Sequence, residues 1–475
     1  MDYRIKFGTS GWRGIIAEDF TFKNVRKVGR GIRKYLIEEN LFDKGIVIGY
    51  DTRFLSKEFA KEIAKIFAES KIKVLFINEP APTPVISYTI LKYKTSGGVN
   101  ITASHNPYYY SGLKYSPSWG GPAEPEVTKK IEELVYKESD DEIKESFDYF
   151  VKEGIIEIID PSNDYLESLL KILPYELNIN YKIVFDPMYG TGINYLKKLF
   201  KDNDKVIFIH NKFDPLFGGL EPVPYEEFLS ELKSEVLDKR AFLGLALDGD
   251  ADRFGVISSD GTFITPNEVL SILSFYLGKD KKEGIGRTIS TTRLIDKIAN
   301  YYNLEVFETP VGFKFIGMLI RDGKIFIGGE ESGGLSIKGW LPEKDGILAD
   351  MLLVEICENE KVTPKDLIDD LYNRFGKFYT KRIDLRFGDE ERELVKNFID
   401  KFSDDKIFEL NIKNIDKKDG LLLNLEEEPS FILFRVSGTE NVVRVYFETQ
   451  NKNLFTYIDE KILNFIKNLK EVKNV

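Results

Sequence analysis

Three tandem α/β domains with mixed sheets, followed by a C-terminal α+β domain, is the architecture this sequence predicts. Three observations predict it. The chain has 475 residues, and a single hydrophobic core stops growing near ~250–300 residues, so several domains are required. A unit of short apolar strand, loop carrying Gly, Asp or Thr, and amphipathic helix recurs along most of the chain. The final hundred or so residues (~100, by the usual domain scale) lose that unit and read as strands around a helix.

The recurring unit is concrete. Gly45-Ile-Val-Ile-Gly-Tyr50 runs into Asp51-Thr52-Arg53 and a helical pattern from Lys57 to Ser70. Lys182-Ile-Val-Phe185 runs into Asp186-Pro-Met-Tyr-Gly-Thr-Gly192 and a helix through Phe200. Thr288-Ile-Ser-Thr-Thr-Arg293 leads to a helix from Leu294 to Tyr302. Repeated βα units call for mainly parallel or mixed sheets covered by helices. After Arg374-Phe-Gly376 come Tyr379 to Leu385, a helical stretch from Asp389 to Phe402, and strands Phe431 to Arg435 and Val442 to Thr449 around a tight polar loop. Boundaries are expected in the acidic Lys137–Glu142 stretch running on to Asp160-Pro161, at Ser258-Ser-Asp-Gly261 and near Gly376. The expected domains are therefore 1–155, 156–257, 258–373 and 374–475.

Composition narrows the function. With 42% hydrophobic and 31% charged residues the chain is an ordinary globular protein. Its net charge of −11, without a basic stripe, argues against nucleic acid or an anionic membrane as partner. A small anionic substrate is still compatible, because a few cations dominate a cleft. The one cysteine, Cys357, excludes an intramolecular disulfide and lies in an apolar helical run, as a packed small hydrophobe would. With only His105 and His210, a bound metal must be held by oxygen, which favours Mg²⁺, Mn²⁺ or Ca²⁺. No apolar leader or membrane-length run is present, so a cytoplasmic location is expected.

Five loops carry residues suited to chemistry. Asp248-Gly-Asp-Ala-Asp-Arg253 follows the apolar Phe242–Leu247. Its alternating carboxylates repel one another unless a cation joins them, and Gly249 and Ala251 leave room for a tight curl. Thr102-Ala-Ser-His-Asn-Pro107 sets Ser104 among small residues after a strand end, with Lys114 downstream; by itself a serine in such a loop is a turn former. Gly328-Gly-Glu-Glu-Ser-Gly-Gly334 offers Glu330 and Ser332 to sugar hydroxyls, although a glycine-rich turn with exposed acids reads the same way. Arg435-Val-Ser-Gly-Thr-Glu-Asn441 presents a forked guanidinium, two hydroxyls (Ser437 and Thr439) and a flexible backbone at Gly438, either a phosphate cradle or a hairpin turn. Phe7-Gly-Thr-Ser-Gly-Trp-Arg-Gly14 places Arg13 in a glycine-rich N-terminal loop.

Together, in this order, the serine, metal, sugar and phosphate loops resemble those of the α-D-phosphohexomutases, which include phosphoglucomutases and phosphomannomutases; the resemblance runs from Phe7 to about Glu448. It implies four domains around a central cleft and an intramolecular phosphotransferase. Ser104 would be carried as phosphoserine, with Mg²⁺ bound by that group and Asp248, Asp250 and Asp252. The resemblance further implies an acid/base role for Lys114 and cleft roles for Arg13 and Arg253. Glu330 and Ser332 would read sugar hydroxyls, and Arg435, Ser437, Gly438 and Thr439 would hold the substrate phosphate. A hexose 1,6-bisphosphate would be intermediate and activator, and the protein a monomer or homodimer with a small sugar phosphate as partner. Glu-Glu-Ser in the sugar loop, Thr309-Pro-Val-Gly-Phe-Lys314 and Glu343-Lys344-Asp-Gly346 lean toward glucose phosphate, with mannose phosphate next; Lys314 and Lys344 are thus further substrate-side candidates. One departure is visible: Ser111-Gly-Leu-Lys114 stands where many members have Asn-Gly-x-Lys, so the lysine's hydrogen bonding is expected to differ. A phosphatase working through an aspartyl-phosphate at the Asp248 loop is the rival enzyme, and a non-catalytic sugar-phosphate sensor the rival binding protein.

Overall fold

In the computed structural model, residues 5–8, 11–436 and 442–471 are described. They form four sheets. The first has the order Trp12–Ile15, Tyr110–Pro117, Gly97–Ile101, Ile46–Tyr50, Val74–Ile77, Ile156–Ile159. Its interior pairs are parallel, while Tyr110–Pro117 runs antiparallel to both neighbours. The second orders Phe263–Ile264, Phe254–Ser258, Leu243–Leu247, Ile183–Asp186 and Val206–Phe208; the third orders Val306–Thr309, Gly284–Thr288, Ile325–Gly329 and Leu335–Ile337. Both are mixed. The fourth is antiparallel: Tyr379–Arg386, Val442–Thr449, Phe431–Val436, Leu421–Leu425, Leu410–Asp416, Lys406–Ile407.

The βα units read from the sequence are present. The helix expected from Lys57 to Ser70 is Ser56–Glu69, and that expected from Leu294 to Tyr302 is Leu294–Tyr302. The first two sheets extend past the expected starts at 156 and 258. Ile156–Ile159 pairs in parallel with Val74–Ile77. Ser258-Ser-Asp-Gly261 is a hairpin turn, with Gly261 at φ 81°, that returns Phe263–Ile264 onto Phe254–Ser258. A Gly-containing polar turn marks a hairpin as readily as a boundary, and only strand pairing distinguishes them.

Much of the core is shared between sheets. One apolar cluster runs through Val85, Tyr165, Leu245, Leu270, Ile327 and Leu352. Its axis is helix Gly346–Glu360, buried on all sides and capped by Asp345, whose side chain accepts from Leu348 N at 3.0 Å. Cys357 is packed inside it, where burial pushes the thiol pKa well up. A helix buried all round needs partners on every face, so it fastens the middle of the molecule. No helix among the described residues is long and apolar enough to cross a membrane.

At the end of strand Ile183–Asp186 the buried Asp186 receives His210 Nδ1 at 3.0 Å from each oxygen, while Nε2 meets Glu231 at 3.1 Å. Hydrogen bonding to Asp186, against the opposing effect of burial, raises the histidine pKa above 6.5, with the charges of Asp186 and Glu231 adding to it. A pKa raised by folding gives stability that is complete below the unfolded value, about 6.5, and is lost as pH rises through the folded one. Thermal unfolding should therefore show a fall in Tm on the alkaline side of pH 6.5 that His210→Gln abolishes. An unchanged slope in the variant would count against this tether.

Candidate functional site

The site forms where strand ends of the first and second sheets face each other. Strand Leu243–Leu247 ends at Asp248, and the next residues curl back at Ala251, whose φ is 53°. A Cβ on Gly249 would meet the carbonyl oxygen of Ser104 at 2.6 Å. The glycine is thus required for contact between the serine and aspartate loops, as well as for the curl expected from the sequence. Thr83 N donates to Asp250 O at 2.9 Å, fixing the same approach from the other side.

Asp248, Asp250 and Asp252 are fully withdrawn from water, and a ligand oxygen from each lies within 4.8 Å of the others. Asp248 Oδ1 accepts the backbone N–H of Asp252 at 2.9 Å and of Arg253 at 3.0 Å. Burial, then Asp252 and Asp250, raises its pKa well above the usual carboxylate range. Asp252 is held below that range despite burial, by Lys114, Lys344 and Arg253. Lys114 Nζ bridges Asp250 at 2.6 Å and Asp252 at 2.9 Å, and Lys344 Nζ reaches Asp252 at 3.1 Å. Burial disfavours the Lys114 ammonium, but the two aspartates outweigh it and the pKa is raised. Asp250 Oδ1 and Asp252 Oδ1 are buried without a hydrogen bond. Unpartnered carboxylate oxygens at this separation suit a hard divalent cation, and Asp248, Asp250 and Asp252 would hold it.

Ser104 lies against this triad. It has φ 53°, a left-handed conformation costing a non-glycine residue about 1–2 kcal/mol. Its Oγ donates to Asp248 Oδ2 at 2.8 Å and lies 3.3 Å from His105 Nδ1, while its N–H donates to Thr102 Oγ1 at 2.9 Å. His105 is kept neutral by burial, then by Arg253, Arg13, Arg382 and Lys114, which push its pKa well below the usual range. Arg13 Nη1 donates to Asn106 Oδ1 in the same loop.

The conformation is imposed by Arg53. Its buried guanidinium donates to the carbonyls of Pro107 at 2.7 Å, Tyr110 at 3.1 Å, Ser104 at 2.6 Å and Asn106 at 2.6 Å, and pairs with Asp51 at 3.0 Å. Arg53 had no role among the residues singled out from the sequence. Its signal was a charged residue at a strand's C-terminal end. Thr83 was also missed: its hydroxyl donates to Asp250 Oδ2 at 2.5 Å and accepts from Asn100 Nδ2 at 3.0 Å. Nothing in Pro82-Thr83-Pro84 announces that. The departure at Ser111 leaves its hydroxyl buried without a partner, and the Lys114 ammonium is oriented by Asp250, Asp252 and Thr83.

The third sheet supplies the opposite wall. Glu330 is buried, accepts Gly312 N at 2.9 Å, and has its pKa raised by burial and then Glu331 to about 7. Near neutral pH its carboxyl therefore exists both as acceptor and as donor, which suits a hydroxyl ligand. Ser332 follows, half-buried. Lys314 has its pKa lowered, chiefly by burial, and lies near Asp419 and Arg435 electrostatically. Arg435 Nε donates to Asp419 Oδ1 at 3.0 Å, and Asp419 Oδ2 accepts Val311 N at 2.7 Å. Ser437, Gly438 and Thr439 lie outside the described residues. Ser104, Lys114, the three aspartates, Arg253 and Lys344 are thus brought together directly, with Arg13 joined to the serine loop.

Family models described as phosphoglucomutase/phosphomannomutase match here: α/β/α domain I over residues 4–142, domain II over 163–261, domain III over 265–375 and the C-terminal domain over 384–465. A phosphoglucomutase from Komagataeibacter xylinus is 27% identical across 94% of this chain and 87% of its own. A phosphoglucosamine/phosphogalactosamine mutase from Sulfurisphaera tokodaii is 27% identical across 98% and 99%. The crystal structure of a Thermus thermophilus protein assigned as a phosphomannomutase is 30% identical, with TM-score 0.84 over 98% of this chain and 100% of its own. The chain belongs to the phosphoglucomutase/phosphomannomutase family, the α-D-phosphohexomutases, and is an intramolecular phosphotransferase.

Two outcomes test the geometry. Replacing Arg53 by Met leaves Asp51 and the loop carbonyls unpaired in the interior, an expected loss of about 3–5 kcal/mol; a denaturant midpoint close to wild type would contradict its anchoring role. Adding Mg²⁺ should raise Tm, because a ligand bound only by the folded state stabilises it. Asp250→Asn should respond far less, and an equal shift in both proteins would exclude the triad as the binding site.

Proposed function

We propose that the chain interconverts hexose 1-phosphate and hexose 6-phosphate, with glucose as the sugar, through a phosphoserine at Ser104. The observation that carries this reading is the 2.8 Å hydrogen bond from Ser104 Oγ to Asp248, beside two carboxylates bridged by Lys114. A bound Mg²⁺ would supply Lewis-acid stabilisation of the transferring phosphoryl group at the aspartate triad. In the forward half-reaction the bond between phosphorus and Ser104 Oγ breaks, and one forms to the free sugar hydroxyl, giving the 1,6-bisphosphate. The hydroxyl loses its proton and Ser104 Oγ gains one; Lys114, held protonated, is the group placed to manage that exchange. After the intermediate turns over, the other phosphate returns to Ser104 by the reverse steps.

The remaining assignments accompany this reading. Arg13 and Arg253 are the cleft cations, Lys344 joins the triad to the third sheet, and Glu330 with Ser332 takes the sugar hydroxyls. Lys314, Arg435 and the loop through Ser437, Gly438 and Thr439 take the non-reacting phosphate. Each of four domains supplies one loop to a central cleft that closes about a hinge near Arg374–Lys377, in a cytoplasmic monomer or homodimer. Glucose is favoured by Glu330-Glu331-Ser332 and by the relative named a phosphoglucomutase; the relative named for amino sugars keeps glucosamine phosphate among the substrates to be compared. The aspartyl-phosphate reading is less supported, because both oxygens of Asp248 already accept hydrogen bonds from Ser104 and the backbone.

The deciding measurement is kcat/KM for glucose, mannose and glucosamine 1-phosphates with Mg²⁺ and a trace of bisphosphate, together with phosphoenzyme stability. Glucose 1-phosphate should be preferred, and an acid-stable phosphoenzyme should disappear in Ser104→Ala. Preference for another sugar overturns the substrate alone. A hydroxylamine-labile phosphoenzyme, or inorganic phosphate as main product, overturns the mechanism.

A further inference from the structure

The C-terminal sheet reaches the reaction centre through a residue outside its phosphate loop. Arg382 lies on the edge strand Tyr379–Arg386, opposite Tyr446. Asp384 holds its guanidinium through both oxygens, at 2.6 and 2.7 Å. The remaining Nη1 donates to the Tyr225 hydroxyl at 3.2 Å and lies 3.7 Å from Glu331 of the sugar loop. That same Tyr225 oxygen accepts from Arg253 Nη1 at 3.4 Å. One phenol oxygen therefore joins two guanidiniums, one beside the aspartate triad and one from the C-terminal sheet.

Two guanidiniums meeting on one phenol oxygen use a single acceptor between them and leave further N–H donors for an anion. Arg253 Nε is buried without a hydrogen bond, and its nearest carboxylate, Asp252, is 3.9 Å away. Arg382 has Asp384 on one edge, leaving the edge toward Tyr225 and Glu331 with long contacts only. A dianionic phosphate between the two arginines would exchange weak contacts for charge-assisted, forked ones.

We infer that Arg382 is a phosphate-binding residue that, together with Arg253 across Tyr225, retains the hexose bisphosphate in the cleft while it turns over between the two transfers. This rests on the mutase reading. In the first transfer the non-reacting phosphate of the monophosphate is already taken by Lys314 and the Arg435 loop, so Arg382 is not required for it. Retention of the more highly charged intermediate needs the C-terminal sheet to stay docked, and Arg382 ties that docking to phosphate charge. Asp384 sets the fork, Tyr225 registers the two arginines, and Glu331 lies beside the free edge of Arg382.

The test uses full-length phosphorylated enzyme with Mg²⁺ and glucose 1-phosphate, comparing wild type with Arg382→Gln, Arg382→Lys and Tyr225→Phe. Free glucose 1,6-bisphosphate released per glucose 6-phosphate formed is measured at steady state, and the first transfer from phosphoserine in a single turnover. Loss of one charge-assisted contact should raise release roughly tenfold or more in Arg382→Gln, less in Arg382→Lys and Tyr225→Phe, with the first transfer little changed. Unchanged release in Arg382→Gln, or equal damage to both quantities, overturns the inference. If Arg382→Gln does not fold by thermal unfolding, Tyr225→Phe decides it, since that change removes one hydroxyl only; release at the wild-type level there overturns it. A wild-type enzyme that forms no glucose 6-phosphate overturns the mutase reading, and this inference falls with it.

Discussion

Three carboxylates on alternate residues, all removed from water, cannot be sustained by the loop that carries them alone. Burial alone would force protons onto them or unfold the loop. Their compensation comes from Lys114 of the first sheet, Arg253 at the end of the loop itself, and Lys344 just before the buried helix Gly346–Glu360. Electrostatic necessity thereby ties three parts of the chain to one point. The same point is where Ser104 donates its hydrogen bond, so the charge that holds the domains together also sets the environment of the Ser104 hydroxyl.

The serine loop illustrates a second consequence. A left-handed Ser104 is unfavourable alone and persists because surrounding contacts over-determine it. Arg53 does most of this by collecting the loop's carbonyls, and Asp51 compensates Arg53 in turn. Burial lowers the Arg53 pKa and raises that of Asp51, while each opposes the shift in the other. The pair is therefore a structural charge couple that stiffens the serine loop. Arg382 of the fourth sheet closes the arrangement against Tyr225, with contacts long enough to be displaced.

Much of this was legible in the chain. The apolar run Phe242–Leu247 followed by alternating aspartates gave both the strand and the need for a cation, because period-two spacing and like-charge repulsion are local properties. The βα units at 45–70 and 288–302 were equally local. What was not legible depended on distant partners. Ser258–Gly261 read as a boundary because a polar turn carries no record of which strand it returns to. Arg53 read as one more loop residue because its acceptors are main-chain carbonyls, which any sequence supplies. Thr83, Tyr225 and Arg382 carried no signal for the same reason: their roles are defined by atoms more than a hundred residues away.

The sequence by itself determined the chemical inventory: oxygen ligands in place of thiolates or imidazoles, a serine among small residues, and a succession of α/β units. It did so because composition, spacing and periodicity act over a few residues. Only the tertiary structure decided which lysine compensates which aspartate, why Gly249 must lack a side chain, and that two arginines 129 positions apart (382 minus 253) meet on one tyrosine oxygen. Those outcomes are set by burial and by Coulomb interactions that strengthen as water is excluded, and neither exists until the sheets have packed.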